Sequence, residues 1–207
     1  QANVISYKHL KDENLYQIEV ARKNKISKYL AKKLINASGP WVDKIRAKHG
    51  ELSGHYLTAI AGCHINFKKF TNHSVILEAE DKRPFFVINI GDVSRVGTTE
   101  RIYDDPDTVQ ITKQEIAYLI KSVQRYFPNA DFSGSNILAT DIGIRPLAHP
   151  EHSKSAQAIS REHAIRIGPD GVLHVVGVKI TDHRRAAQDV VNHLTKQKCT
   201  THSEIIT

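Results

Sequence analysis

The sequence predicts an α+β protein, and two observations carry that prediction. Strand-like segments crowd the middle of the chain with turn residues between them, the pattern of an antiparallel meander. Clear helical periodicity is confined to a segment near residue 112 and another after residue 181, so strands and helices alternate too little for a doubly wound parallel sheet.

The elements follow in order. Tyr16 to Val20 alternates with period two; a polar stretch then leads to Tyr29-Leu30-Ala31 and the apolar run Leu34-Ile35-Asn36-Ala37, which reads as a hairpin feeding a buried strand. Ser38-Gly39-Pro40 follows. Pro40 suits a first helical position, and Trp41, Val42 and Ile45 then share one face of a short helix. Strand, glycine turn and helix start together aim backbone N–H groups at a ligand. Strands are expected at 75–79, 84–90 and 94–97. Thr112 and Glu115 spell a capping box, Ile111 and Ile116 a hydrophobic staple, and apolar residues recur at 116, 119, 120, 123 and 127 before Pro128 ends the helix. Further strands are expected at 137–140 and 159–167, separated by a turn that holds Arg145 and by a polar loop. Val172 to Val176 is another strand, ended by Gly177. Thr181 or Asp182 then caps a helix with Ala186, Ala187, Val190, Val191 and Leu194 on one face.

Composition narrows the classes of function. With 40% apolar and 25% charged residues and no low-complexity run, the 207-residue chain is ordinary globular material, long enough for one large domain or two small ones. No run approaches the ~20 apolar residues of a membrane helix, and residues 1–30 lack a signal-peptide core. Two cysteines, Cys63 and Cys199, make no disulfide framework and read as free thiols of a reducing compartment, so a cytoplasmic location is expected. Residues 1–50 hold eleven Lys/Arg against four Asp/Glu, so the whole net charge of +7 lies at the front of the chain. An acidic membrane surface, hence a peripheral position at the inner face of the cytoplasmic membrane, is a candidate partner for that charge, as is nucleic acid. A run such as Lys23, Lys25, Lys28, Lys32 and Lys33 is more often a solvated face, and no motif marks specific nucleic-acid reading.

Several familiar chemistries are excluded. The eleven glycines never stand two apart, so the dinucleotide-binding fingerprint is absent from the chain; a Walker loop and a Gly-x-Ser-x-Gly elbow are absent too. His149 and His152 have the spacing of a metal pair, but nothing completes a tetrahedral set, and no metal site is expected. Cys63 adjoins His64, yet neighbours on a strand point to opposite faces, which argues against a thiol–imidazole pair.

Four short tracts remain: Ala61-Gly62-Cys63-His64, Ile142-Gly143-Ile144-Arg145-Pro146-Leu147, Ser160-Arg161-Glu162-His163 and Gly177-Val178-Lys179-Ile180-Thr181. They bring a histidine, two arginines and a lysine to strand ends or turns, which suits a small anionic alcohol. Together with Leu34 to Val42, Val96-Gly97-Thr98-Thr99, Tyr103 and Ile111 to Phe127, their order resembles that of the FAD-dependent glycerol-3-phosphate dehydrogenases, a branch of the D-amino-acid-oxidase-like flavoenzymes. The resemblance implies a mixed, largely antiparallel substrate domain at 50–167, flanked by returning parts of an FAD-binding domain at 1–49 and 168–207. It also implies that the pyrophosphate cradle and a helical C-terminal domain lie outside this chain, which by itself is then expected to retain no FAD and to be inactive. The strands at 34–37 and 172–176 are expected to be neighbours, with Gly39 and Gly177 at one edge.

In such an enzyme FAD takes the hydride of glycerol 3-phosphate, giving dihydroxyacetone phosphate, and passes the electrons to quinone or oxygen. The protein supplies a base, a charge clamp and alignment. His64 is the expected base, because an imidazole titrating near ~6.5 accepts a proton at neutral pH. Arg145 and Arg161 are the matched phosphate ligands, since guanidinium groups offer paired donors and keep their charge. Lys179 is assigned to catalysis, at the substrate oxygen or the reduced flavin, and Gly39, Pro40, Trp41, Gly177, Lys179 and Thr181 to the cofactor. Arg95, Thr98 and Thr99 are weaker candidates. The alternatives are a related FAD-dependent amine or 2-hydroxy-acid oxidase, or a non-catalytic basic module for anionic surfaces or nucleic acid.

Overall fold

The computed structural model describes residues 2–50, 54–149 and 162–200. In chain order its elements are β1 (Asn3–Leu10), β2 (Leu15–Arg22), β3 (Lys25–Ala31), β4 (Ile35–Asn36), a 3-10 turn (Gly39–Trp41) running into α1 (Val42–Lys48), β5 (Leu57–Lys68), β6 (Val75–Glu78), β7 (Pro84–Ile90), β8 (Val93–Gly97), β9 (Arg101–Ile102), α2 (Lys113–Gln124), β10 (Ile137–Ala148), β11 (Ala164–Ile167), β12 (Leu173–Val176) and α3 (His183–Thr195). The mixed, mostly antiparallel α+β class is as expected. Among the described residues no helix is long and apolar enough to cross a membrane.

The chain forms two compact units. One combines Gln1–Thr58 with Pro146–Thr207; the other is the continuous span Ala59–Arg145. These limits differ from 50 and 167 because β11 pairs with β12 and so joins the unit of the chain ends.

In the first unit β1, β2 and β3 form an antiparallel meander. Tyr7, Tyr16 and Ile18 on its inner face pack with Val172. The separate sheet β11-β12-β4 has β12 at its centre, buried at all four residues. β4 runs parallel to β12 with Ile35 opposite Leu173 and Asn36 opposite His174. Gly39 and Gly177 each lie three residues beyond that last pair, so the parallel register puts both at one edge, as expected. In α1 Val42 is fully buried while Trp41, expected on the same inward face, is 42% exposed. The α3 face is narrower than expected: Ala186 and Val190 are buried, Leu194 packs beside Val190, and Val191 is exposed.

The second unit is a six-stranded sheet of order β10-β5-β8-β7-β6, with β9 also on β5. Period-two alternation along its strands sends Cys63, Ile65, Phe67, Phe85, Val87 and Val96 to one face, where Leu119 and Val123 of α2 cover them. The opposite face carries His64 and Arg95. The capping box of α2 forms as read, with Thr112 Oγ1 accepting from the Glu115 N–H and the Glu115 carboxylate accepting from the Thr112 N–H.

One expectation is corrected. Arg145 and Pro146 do not stand in a turn but inside β10, a single strand from Ile137 to Ala148. The strand tolerates its proline because β10 is the sheet's edge, where a missing N–H donor leaves no ladder bond broken. Proline also presses the residue before it towards extended backbone, which keeps Arg145 in the strand.

Candidate active site

His64 sits on β5 directly opposite Gly97 of β8. That glycine exists for the imidazole: a Cβ at position 97 would overlap His64 Cδ2 and lie 2.8 Å from Cγ. Two residues earlier on the same face, a Cβ at Gly62 would collide with Thr98 Oγ1 and stand 3.0 Å from an Arg145 guanidinium nitrogen. The two glycines therefore let a ring and a guanidinium settle onto the sheet, and His64 and Arg145 share one face of the second unit.

Arg145 donates from Nη1 to Glu100 Oε1 at 2.9 Å and from Nη2 to the Thr99 carbonyl at 3.1 Å. Its side chain is 40% exposed. Beside His64, Arg95 makes a two-point ion pair with Asp141, Nη1 to Oδ2 at 2.5 Å and Nη2 to Oδ1 at 2.6 Å, and a further bond to Asn66 Oδ1 at 3.0 Å. Asp141 Oδ1 also stands 3.6 Å from His64 Nδ1. That nitrogen is buried and has no hydrogen-bond partner among the described residues.

The titration directions follow from these neighbours. Burial, and then the Arg95 charge, push the His64 imidazole below its ordinary value; Arg145 adds to this and Asp141 opposes it. The hydrogen bond from Arg95 is the main reason the Asp141 carboxyl lies below the usual carboxylate range. Cys63, on the opposite face and fully buried, has its thiol pushed up by burial, so it is no nucleophile for His64.

Each of the two arginines on this face has a carboxylate partner, Glu100 for Arg145 and Asp141 for Arg95. Asp141, Glu100 and Asn66 were missed, since isolated acidic and amide residues carry no local signal. Thr99 proves structural: it is buried, and its Oγ1 accepts from the Cys63 N–H at 3.0 Å and donates to Glu115 Oε1 at 3.0 Å.

The other expected residues lie in the first unit. Asn36 shapes the turn that carries Gly39, Pro40 and Trp41: its Oδ1 accepts from Ser38 Oγ at 2.6 Å and its Nδ2 donates to the Val42 carbonyl at 3.2 Å. Gly177 has φ +75°, and a Cβ there would press on the Glu162 carbonyl at 2.9 Å, so a side chain is excluded twice over. Lys179 and Thr181 are exposed around the 3-10 turn Ile180–Asp182. Asp182 makes no side-chain cap on α3, because its carboxylate faces His163 Nδ1 at 3.0 Å, while Asp189 faces Nε2 at 3.1 Å. Arg161 lies outside the described residues, as does His152. Among the described residues no group of side chains is arranged to hold a metal ion.

Two glycine turns beyond the carboxyl ends of a parallel strand pair are where sheets of this kind receive nucleotides. A model of the family described as "FAD dependent oxidoreductase" matches residues 4–181. The chain belongs to that family. The chain is similar to the aerobic glycerol-3-phosphate dehydrogenase of Bacillus subtilis, with 32% identity over 84% of this chain and 32% of the relative. With the Staphylococcus aureus enzyme of the same name the identity is 36%, over 81% of this chain and 31% of the relative. It therefore spans about a third of the length of these curated relatives. Its fold is like that of the Bacillus halodurans glycerol-3-phosphate dehydrogenase solved in complex with FAD, at a TM-score of 0.79 and 23% identity over 94% of this chain and 38% of that one.

Proposed function

We propose that this chain is the substrate-handling portion of a flavin-dependent dehydrogenase that oxidises glycerol 3-phosphate to dihydroxyacetone phosphate. The observation that carries the reading is the convergence of His64 and Arg145 on one open sheet face, with Gly62 and Gly97 making room for both. The names of the relatives support the same substrate.

The residues of the first unit fit a flavin nucleotide in kind: two glycine turns at one strand edge, an exposed indole at Trp41 and exposed Lys179 and Thr181. Gly39, Pro40, Trp41, Gly177, Lys179 and Thr181 would hold FAD, which when bound supplies the acceptor for the carbinol hydride. The chain's own residues do the rest. His64 takes the hydroxyl proton on Nε2, because Nδ1 is the buried ring nitrogen. Its depressed proton affinity keeps it unprotonated, hence available to accept a proton, at neutral pH. Arg145 grips phosphate oxygens through paired N–H donors, exchanging its contact with Glu100 for the ligand. Arg161 is a second guanidinium for the same phosphate. In the whole protein, quinone or oxygen removes the electrons.

Steady-state kinetics of the flavin-loaded enzyme test this reading. His64→Ala is expected to lower kcat by roughly 10²-fold or more, the scale of a lost general base. Arg145→Lys is expected to raise KM for glycerol 3-phosphate although the charge is kept, since an ammonium cannot reproduce paired planar donors. If neither constant moves while flavin content is normal, the assignment is wrong.

A further inference from the structure

The Arg95–Asp141 pair is left over once His64 and Arg145 have their roles. It is not a loose surface contact: the Arg95 side chain is 25% exposed, and its guanidinium is bound at two points by the carboxylate and at a third by Asn66. Three strands contribute, since Asn66 and His64 lie on β5, Arg95 on β8 and Asp141 on β10. Asn66 faces Arg95 across the ladder, one step along the same face from the pair of His64 and Gly97. Among the described residues the charged groups that act on His64 are Arg95 from β8 and Asp141 and Arg145 from β10.

Two cations and one anion around an imidazole pose a problem for a base. With Nε2 free to accept, the neutral ring carries its hydrogen on Nδ1, and proton uptake makes an imidazolium whose more strongly polarised Nδ1–H favours a close acceptor. The acceptor within reach is Asp141 Oδ1 at 3.6 Å, just beyond hydrogen-bonding distance in the resting state, while Nδ1 is sealed from solvent. The same carboxylate draws the Arg95 charge towards itself. Resting on the reading of His64 as the base, we propose that Asp141 is its positioning residue: it ties Arg95 into a two-point ion pair and stands behind Nδ1–H, favouring the tautomer with Nε2 free and accepting a closer hydrogen bond from Nδ1–H once Nε2 takes up its proton. A group that orients a base through its second nitrogen is how histidine bases are commonly held in the working tautomer. Arg145 then remains the guanidinium for the substrate anion, and Arg95 does not compete for it.

The His64 imidazole can be followed directly by NMR titration of this chain, its signal assigned by its loss in His64→Gln. Asp141→Asn removes the acceptor and frees the Arg95 charge, so the ring's proton affinity is expected to fall about tenfold, the usual effect of an opposite charge lost from 4–6 Å. Arg95→Gln removes the cation and releases Asp141, so the affinity is expected to rise by a similar factor and the Nδ1 resonance to move towards the hydrogen-bonded position. Asp141→Asn leaving the midpoint in place, or raising it, overturns the proposal. If Asp141→Asn unfolds the sheet, Arg95→Gln decides alone: an unchanged or lowered midpoint refutes it. In the flavin-loaded enzyme the acidic limb of kcat is expected to follow the NMR midpoint in each variant, with KM little altered. Should the midpoints move as stated while His64→Ala keeps full turnover, the base assignment fails and the hold of Asp141 on His64 stands.

Discussion

His64 owes its chemical character to where the sheet puts it. Burial is the largest influence on its imidazole, Arg95 the next, and both disfavour the charged form. The group is thus neutral at pH values where a free histidine would already be partly protonated. The acidic limb of kcat/KM is accordingly expected to lie below the ordinary value of 6.5, with activity present above the limb and lost as pH falls through it. A pH–rate profile of the flavin-loaded enzyme checks this, and a limb above 6.5 contradicts it. The opposite facing of Cys63 and His64 was legible in the sequence, because strand alternation is local. Asp141 was not, since nothing in Ala139-Thr140-Asp141 distinguishes a carboxylate that will meet Arg95 from one that will meet water.

At the scale of elements, α2 shows a local signal reaching beyond its own helix. Burial works against ionisation of Glu115, but hydrogen bonds from Thr112, and then from Arg101 and Thr99, outweigh it and leave the carboxyl below its ordinary value. The capping box thereby holds Thr99, whose carbonyl receives Arg145. Because the unfolded chain binds the Glu115 proton more tightly, this contribution to stability is present above the unfolded pKa and lost as pH falls through the lower folded one. Thr112→Ala is expected to cost about 1 kcal/mol in urea unfolding at neutral pH, and the deficit should shrink in acid as Glu115 protonates in both proteins. A deficit independent of pH would separate the cap from Glu115. The capping box was readable because both partners lie within one turn. β10 was misread because Arg-Pro resembles turn chemistry, and only its place at the sheet edge makes a strand proline harmless.

Across the whole molecule, the first unit is assembled from two stretches of chain, Gln1–Thr58 and Pro146–Thr207, with the whole of the second unit between them in sequence. Asp170 is one of its joints: its Oδ2 accepts from Tyr7 OH at 3.1 Å, its carbonyl from Tyr16 OH at 2.8 Å and its Oδ1 from the Val172 N–H at 3.1 Å. Asp170→Ala is expected to speed amide exchange in residues 3–22 by roughly tenfold or more, the loss of a charge-assisted hydrogen bond, while β5, β7 and β8 exchange as before. Uniform acceleration throughout would mean that the two units do not respond separately.

The sequence by itself determined the α+β class, the α2 helix with its capping box and the family-matched motifs, and the resemblance carried by those motifs implied the neighbouring of β4 and β12. Each of these rests on spacing within a few residues or on an ordered set of such spacings. Only the tertiary structure decided the limits of the two units, the extended conformation of Arg145, the carboxylate given to each arginine and the burial of His64 Nδ1. Those depend on strand order and register, which bring residues 64, 95 and 141 to adjacent positions on one sheet face although dozens of residues separate them along the chain. The energy of that meeting comes from charges and burial that no single segment carries.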